Sequence, residues 1–240
     1  PIILMALNLD LPKKILAHPW VLMGEDKMSK SRGNIVYIDD LINEYGRDPV
    51  RYYFLSQVPF ANDGTFTEEL LVNTINSDLA NVLGNLVKRT QSMIVKYQGG
   101  KLYPNIKYGE LDSEYIKYIE ECKKNSIYKI RKYRVADSLN DIMKIFERSN
   151  KYIDETTPWI LFKEGNKERI EEVLYNLSEA ILNGAILLQA FLPDTSEKIL
   201  DYFNVDERNT IEEKLTKLVN CEKLIEEKEP MFIRIEKDKK

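Results

Sequence analysis

From Thr67 to Tyr202 the apolar positions recur every three or four residues, the spacing that gathers one stripe along an α-helix. Thr67-Glu68-Glu69 opens the first segment with a capping residue and two acids, and the pattern runs to about Gln98, where Gly99-Gly100 ends it. Residues 101–111, with Pro104 and Gly109, read as a loop. Asp112 then reads as the cap of a helix to about Tyr133, and another spans about Val135 to Ile153. Thr156-Thr157-Pro158-Trp159 has the form of a cap with Pro in the first turn of a short helix. From about Lys167 to Phe191 a long helix carries Val173, Leu177, Ile181, Leu188 and Phe191 at core spacing. Leu192-Pro193-Asp194 breaks it, Thr195 to Tyr202 is helical again, and the last 35 residues are mixed, ending in Glu236-Lys237-Asp238-Lys239-Lys240.

The first 63 residues have a different texture. Ala17 to Met23 reads as a short buried strand, weakened by Pro19, that enters the polar loop Gly24 to Asn34. Asp39 reads as the cap of a helix through Leu41, Ile42 and Tyr45 that stops at Gly46. Asp48-Pro49 restarts a helix with Val50, Tyr53, Phe54 and Val58 as its stripe, and Asn62-Asp63-Gly64 is a turn. The expected architecture is mainly α: an antiparallel helix bundle over 64–240, preceded by a short α/β remnant over 1–63.

Composition supports a packed core, with 43% hydrophobic and 31% charged residues in 240. The chain opens on Pro1 and runs at once into apolar sequence, so it is expected to be part of a longer protein. No apolar run approaches the roughly 18–20 residues of a membrane span, and no secretion signal is present, so no membrane partner and a cytoplasmic location are expected. Cys122 and Cys221 stand far apart without CxxC spacing, which supports neither a zinc site nor a disulfide framework. A net charge of −4 leaves room only for local basic surfaces. Residues 13–34 hold five basic residues against two acidic ones, and residues 117–134 hold seven against two; the second run reads first as a solvated helix face.

Within the polar loop, Gly24-Glu25-Asp26-Lys27-Met28-Ser29-Lys30-Ser31-Arg32-Gly33-Asn34 sets two lysines, two serines and an arginine between glycines at the end of the strand. Ammonium groups neutralise phosphate, and hydroxyls and backbone amides donate to it, so such a loop can hold a polyphosphate. No Walker pattern can be written here, and a generic lysine-rich surface loop has the same composition. His18, the only histidine, reads as a packed or neighbouring group rather than a general base.

In the helical part, Asn81, Asn85 and Arg89 stand at i, i+4 and i+8 on one helix face. Two amides and a guanidinium in a row can hydrogen-bond the edges of unstacked bases, and an ordinary polar outer face has the same spacing. Trp159, just after Pro158, can offer its ring to a base or plug a helix junction.

Lys27-Met28-Ser29-Lys30-Ser31, followed by Gly33-Asn34, matches the second signature of class I aminoacyl-tRNA synthetases letter for letter. Asn150-Lys151-Tyr152 with Pro158-Trp159 resembles the Asn-Lys-Tyr-x-x-x-x-x-Pro-Trp segment of methionyl-tRNA synthetases, and Asn81 to Arg89 resembles their Asn-x-x-x-Asn-Leu-x-x-Arg helix. Leu192 to Ile199 and Pro230 to Ile235 also look familial, so the resemblance runs from about Leu4 to Glu236. It implies an ATP-dependent, two-step attachment of methionine to its tRNA, with a bundle of the family's anticodon-binding type. It implies further that Lys27, Met28, Ser29, Lys30 and Ser31 bind ATP as its Mg complex, with Lys30 the main catalytic charge and Lys27 assisting. Asn81, Asn85, Arg89, Pro158 and Trp159 are implied to form the site that reads the CAU anticodon, with Asn85, Arg89 and Trp159 contacting bases. No HIGH-type signature, methionine pocket or zinc-binding cysteine knuckle appears; all are expected upstream of Pro1, so the chain alone is expected to be inactive. Two other readings are another class I synthetase, for leucine, isoleucine, valine or cysteine, and a stand-alone tRNA-binding module.

Overall fold

Helix periodicity becomes a bundle because the apolar stripes of long helices have only one another to bury against. A computed structural model describes residues 1–24, 26–29, 33–58, 62–104, 107, 109–205, 219 and 221–236. In chain order the elements are α1 (Ile2–Ala6), β1 (Val21–Met23), β2 (Asp26–Lys27), α2 (Ile38–Tyr45), α3 (Arg47–Gln57) and β3 (Gly64–Phe66). Then come α4 (Glu68–Thr74), a π-type stretch (Ile75–Gly84) and α5 (Asn85–Gln98), followed by α6 (Glu110–Arg131), α7 (Val135–Thr156), α8 (Pro158–Lys163), α9 (Lys167–Leu188) and α10 (Pro193–Tyr202). Mainly helical architecture with a small sheet at its start agrees with the sequence expectation.

The first bundle helix follows the sequence closely. Thr67 Oγ1 accepts from the Leu70 amide at 3.1 Å, Glu68 and Glu69 occupy the positive end of the dipole, and Gly99 closes the far end in the left-handed conformation at φ 62°. Between these caps the helix widens: the Asn85 amide reaches back to the Ala80 carbonyl, five residues earlier. Leu71, Leu79, Leu83, Leu86 and Ile94 still face inward and are fully buried. The five core residues expected on α9, Val173, Leu177, Ile181, Leu188 and Phe191, are buried as well, although the helix itself stops at Leu188.

Several expectations are corrected. The strand expected over Ala17–Met23 is only Val21–Met23, because Pro19 has no amide to donate; pairing begins where the Trp20 carbonyl accepts from the Gly64 amide at 2.9 Å. β1 has two partners: β2 inside the polar loop, antiparallel, and β3, parallel, with Val21 opposite Gly64. β3 went unseen because three residues after a turn signal are too few to show alternation. Neither Asp39 nor Asp112 is an N-cap. Tyr37 and Gly109 hold those positions, and the two acids lie inside the first turns, where the dipole favours them equally. α6 ends at Arg131 and α7 continues to Thr156, two residues before and three residues beyond the expected limits. The charged tail 237–240 lies outside the described residues.

Nor is the basic run on α6 a plain solvated face. Lys123 is 2% exposed and paired with Glu120, and Lys129 pairs with the buried carboxylate of Asp141. Lys144 holds the other oxygen of Asp141 at 3.0 Å, so Lys129 is one of two cations on this buried carboxylate and ties α6 to α7 through it.

Three helices meet at Asp112, which is 0% exposed. Its carboxylate accepts from Arg169 Nη1 at 2.6 Å and Nη2 at 2.8 Å, from the Tyr152 hydroxyl, and from the Gly109 amide at 3.0 Å. Burial by itself raises the carboxyl's pKa, but the donors from Arg169, Tyr152 and Gly109 outweigh it and hold the group below the usual carboxylate range. Beside it the Tyr115 and Tyr152 rings stack with centroids 4.1 Å apart, and the Tyr115 and Ser149 hydroxyls bond at 2.6 Å. Elsewhere α7 and α9 approach so closely that a Cβ on Gly184 would lie 2.5 Å from Phe146 Cζ.

The early unit is bound to the bundle through α3. Asp48 Oδ2 accepts from the Thr195 amide at 2.6 Å and so caps α10 from another element. Arg51 donates to the Phe191 and Ala190 carbonyls at the end of α9, at 2.7 and 3.2 Å, and Arg47 pairs with Asp194.

Three outcomes follow for urea unfolding. Asp112→Ala costs about 3–5 kcal/mol, because the Tyr152 hydroxyl and the Gly109 amide lose their acceptor and the half-buried Arg169 guanidinium keeps only Glu172. A carboxyl held low when folded stabilises fully above its unfolded value of about 3.9 and ceases to do so as the pH falls through its folded value; Asp112→Asn therefore flattens the acid limb of the stability curve. Gly184→Ala costs about 1–3 kcal/mol by overpacking the α7–α9 contact.

Candidate functional site

Two separate surfaces carry the side chains singled out by sequence. On the first, Met23↔Asp26 and Leu22↔Lys27 pair across a tight turn at Gly24, whose φ of +62° favours glycine. Lys27 is therefore the last residue of a strand rather than part of a free loop, and its ammonium stands 5.4 Å from the centroid of the Trp20 ring. Met28 and Ser29 follow, both half-buried.

Asn34 closes this segment from the other side. Its Oδ1 accepts from the Ser29 amide at 2.8 Å while its Nδ2 donates to the Lys27 carbonyl at 3.3 Å, so one amide group holds both strands of the loop. Glu25, Lys30, Ser31 and Arg32 lie outside the described residues, and with them the lysine expected to carry most of the charge. His18 is exposed, with Nδ1 2.7 Å from the Pro19 carbonyl.

The second surface lies on the bundle. α5 and the α7–α8 junction form a groove of about 300 Å³ lined by Lys88, Arg89, Ser92 and Met93 together with Lys96, Tyr97 and Trp159. Arg89 and Trp159 are 70 positions apart in the chain and share this wall. Trp159 keeps 38% of its surface exposed, so its ring is available, while Pro158 beneath it is buried. Thr157 makes this possible: at φ 43°, ψ 60° it turns the chain sharply between α7 and α8 and aims Trp159 outward. Asn150 holds α7 against the π-type stretch, its amide donating to the Val82 carbonyl at 2.9 Å.

Arg89 lies 3.5 Å from Asp154 Oδ1, a long and solvent-screened contact that leaves most of the guanidinium donors facing the groove. Asn81 and Asn85 are exposed on the same helix, inside and at the exit of the π-type stretch, but line a neighbouring surface rather than the groove itself. Lys88 is held by Glu227 at 2.8 Å and by the Lys228 carbonyl at 2.7 Å, which fastens the extended C-terminal segment along α5. Where that segment continues, Phe232 packs 3.5 Å from the position of a Cβ on Gly84, explaining a small residue there.

Sequence reading overlooked Tyr97 and Lys96. The signal was present, since Tyr97 stands two further i+4 steps beyond Arg89, but an aromatic at that spacing reads equally as core. Only its stacking on Phe162, with centroids 4.5 Å apart, shows that it walls a surface cavity.

Family comparisons divide the chain in two. Residues 1–91 match the model of class I tRNA synthetases (M), and residues 104–240 match that of the anticodon binding domain of methionyl tRNA ligase. A methionine–tRNA ligase of Clostridium acetobutylicum is 48% identical over 207 residues, covering 86% of this chain and 32% of that protein. One from Bacillus subtilis is 42% identical over 241 residues, covering 98% of this chain and 36% of that protein. The chain thus spans about a third of the length of the curated relatives it matches. Among solved structures, Mycobacterium tuberculosis methionyl-tRNA synthetase bound by methionyl-adenylate superposes with a TM-score of 0.84 at 31% identity, over 96% of this chain and 46% of that one.

Asn34 gives a local test. Asn34→Ala removes the acceptor of the Ser29 amide, and hydrogen exchange at Ser29 should accelerate by about 3- to 10-fold, the worth of one such bond, with the β1–β2 pairing unchanged.

Proposed function

The chain belongs to the methionyl-tRNA ligase family, and from that premise we propose that it is the portion of such a ligase that serves ATP and reads the anticodon. The reaction attaches methionine to its tRNA in two steps. Methionine's carboxylate attacks the α-phosphate of ATP and releases pyrophosphate; the adenylate then passes its methionyl group to the tRNA.

In the first step negative charge builds on the departing pyrophosphate. Lys30 supplies the main compensating charge and Lys27 assists, while Met28, Ser29 and Ser31 complete the ATP-binding segment. Such charges act mainly on rate, because the charge they meet is largest in the transition state. Mg enters as part of the ATP complex and belongs to the substrate. The methionine pocket, and any zinc knuckle, lie in parts of the ligase other than this chain. A cytoplasmic location belongs to the same proposal; among the described residues no helix is long and apolar enough to cross a membrane.

The observation that carries the anticodon reading is the groove joining Arg89 to Trp159. A flat, half-exposed ring beside a guanidinium suits an unstacked base, the ring taking its face and the guanidinium its edge. Asn85 adds an amide that can both donate and accept, with Asn81 near it and Pro158 fixing the entry of α8. The CAU triplet is the sequence read. An RNA-binding module with no ligase partner would use the same groove, but the Lys27 to Ser29 segment, held in register by β1 and Asn34, has no purpose in that alternative.

Binding of an anticodon stem-loop to this chain tests the proposal. Trp159→Ala should weaken binding of the CAU stem-loop by about 1–3 kcal/mol, and replacing the first anticodon base should weaken binding to the parent chain. In the complete ligase the same substitution should leave ATP–pyrophosphate exchange nearly unchanged. Equal losses in exchange and in tRNA charging would make Trp159 a structural residue and sink the assignment.

A further inference from the structure

We propose that the bundle carries a second base-binding subsite beside the anticodon groove, built by Tyr97, Tyr103 and Phe162 and edged by Gln98, Lys167 and Glu171, which takes the base of one nucleotide flanking the triplet. This rests on the anticodon reading above.

The cavity holds about 320 Å³, enough for one base with solvent. Tyr97 lines both it and the Arg89–Trp159 groove, so the two hollows share a wall and one strand can occupy both. Tyr97 and Phe162 stack at 4.5 Å with planes 23° apart, which fixes their rings as a rigid platform at low entropic cost. Phe162 remains 44% exposed although it is one of the larger apolar side chains, and Tyr103 is half-exposed across the cavity. The loop between α8 and α9 passes Gly165 at φ +73°, which keeps Phe162 and Lys167 on the same side.

Charge agrees with a nucleic-acid strand. Lys96 borders the anticodon groove, Lys167 borders the new cavity, and the Lys101 ammonium lies 5.3 Å from the centroid of the Tyr103 ring that lines it. Phosphates that follow bases from one hollow to the next meet cations along the way. The polar edge is selective: the Glu171 carboxylate can only accept, so the base that enters must present an N–H donor, while the Gln98 amide is taken up by the Lys101 carbonyl at 2.7 Å and the Glu171 amide at 3.3 Å. A purine with an exocyclic amino group fits, since its larger face also gains most from stacking.

The experiment uses the 240-residue chain and 17-nucleotide CAU stem-loops in which each loop position flanking the triplet is made abasic in turn, with affinity read by fluorescence anisotropy. Removing one flanking base should weaken binding by about 5- to 100-fold, and removing the others should not. Tyr103→Ala and Glu171→Gln should weaken binding to the intact stem-loop, Tyr103→Ala by a comparable factor, yet add nothing on the RNA that lacks the critical base. Circular dichroism of both variants should match the parent; if Tyr103→Ala unfolds, Glu171→Gln decides the matter alone. Trp159→Ala should lose the same factor on every RNA. If every flanking abasic RNA binds as the intact one does, or if the variants lose equally on all RNAs, the subsite is overturned while dependence on the CAU triplet stands. If the parent chain ignores the triplet itself, the anticodon reading fails and this inference fails with it.

Discussion

A single buried carboxylate, Asp112, holds the bundle's geometry. Three helices contribute to its shell: the Gly109 amide at the start of α6, the Tyr152 hydroxyl late on α7, and the Arg169 guanidinium at the start of α9. An ionised group at zero exposure is tolerable only with its lone pairs filled, so the three helix ends have one mutual placement that satisfies it. Tyr152 lies two residues before Asp154 and seven before Trp159. The helix that carries the groove's far wall is thereby fixed from its buried side, leaving the exposed side free for a ligand.

Helix ends also join the two halves of the chain. α9 stops at Leu188 and α10 starts at Pro193, leaving carbonyls and amides that need partners. α3 supplies them: Arg51 takes the carbonyls, Asp48 takes the Thr195 amide, and Arg47 pairs with Asp194. The unit bearing the Lys27 to Ser29 segment is thus seated on the bundle through hydrogen bonds between fixed groups.

Lys27 and Asn34 show how far chemistry could be read from order alone. The loop composition pointed to phosphate without distinguishing it from a lysine-rich surface, and the signature match carried the distinction. Nothing in the order of residues showed that Asn34 bridges the Lys27 carbonyl and the Ser29 amide, or that Lys27 sits over Trp20, because both depend on a hairpin of only two paired residues per strand. Likewise the basic run on α6 looked solvated, since charge counts carry no information on the acids that α7 brings to it, Asp141 above all.

Local physics was legible at several points: caps at Thr67 and Gly99, the Pro158 start of α8, and the core stripe of α9 follow from propensities and spacing within one turn, and these depend only on near neighbours. The Asn81, Asn85 and Arg89 face was legible for the same reason. What tertiary structure alone decided was which separated residues meet. Trp159 joins Arg89 across 70 positions, Tyr97 becomes a wall through Phe162, Asp112 becomes a buried hub instead of a cap, and Asp48 caps a helix that begins 145 positions later. Each of these pairings is set by how whole helices pack, a global solution that no window of sequence contains.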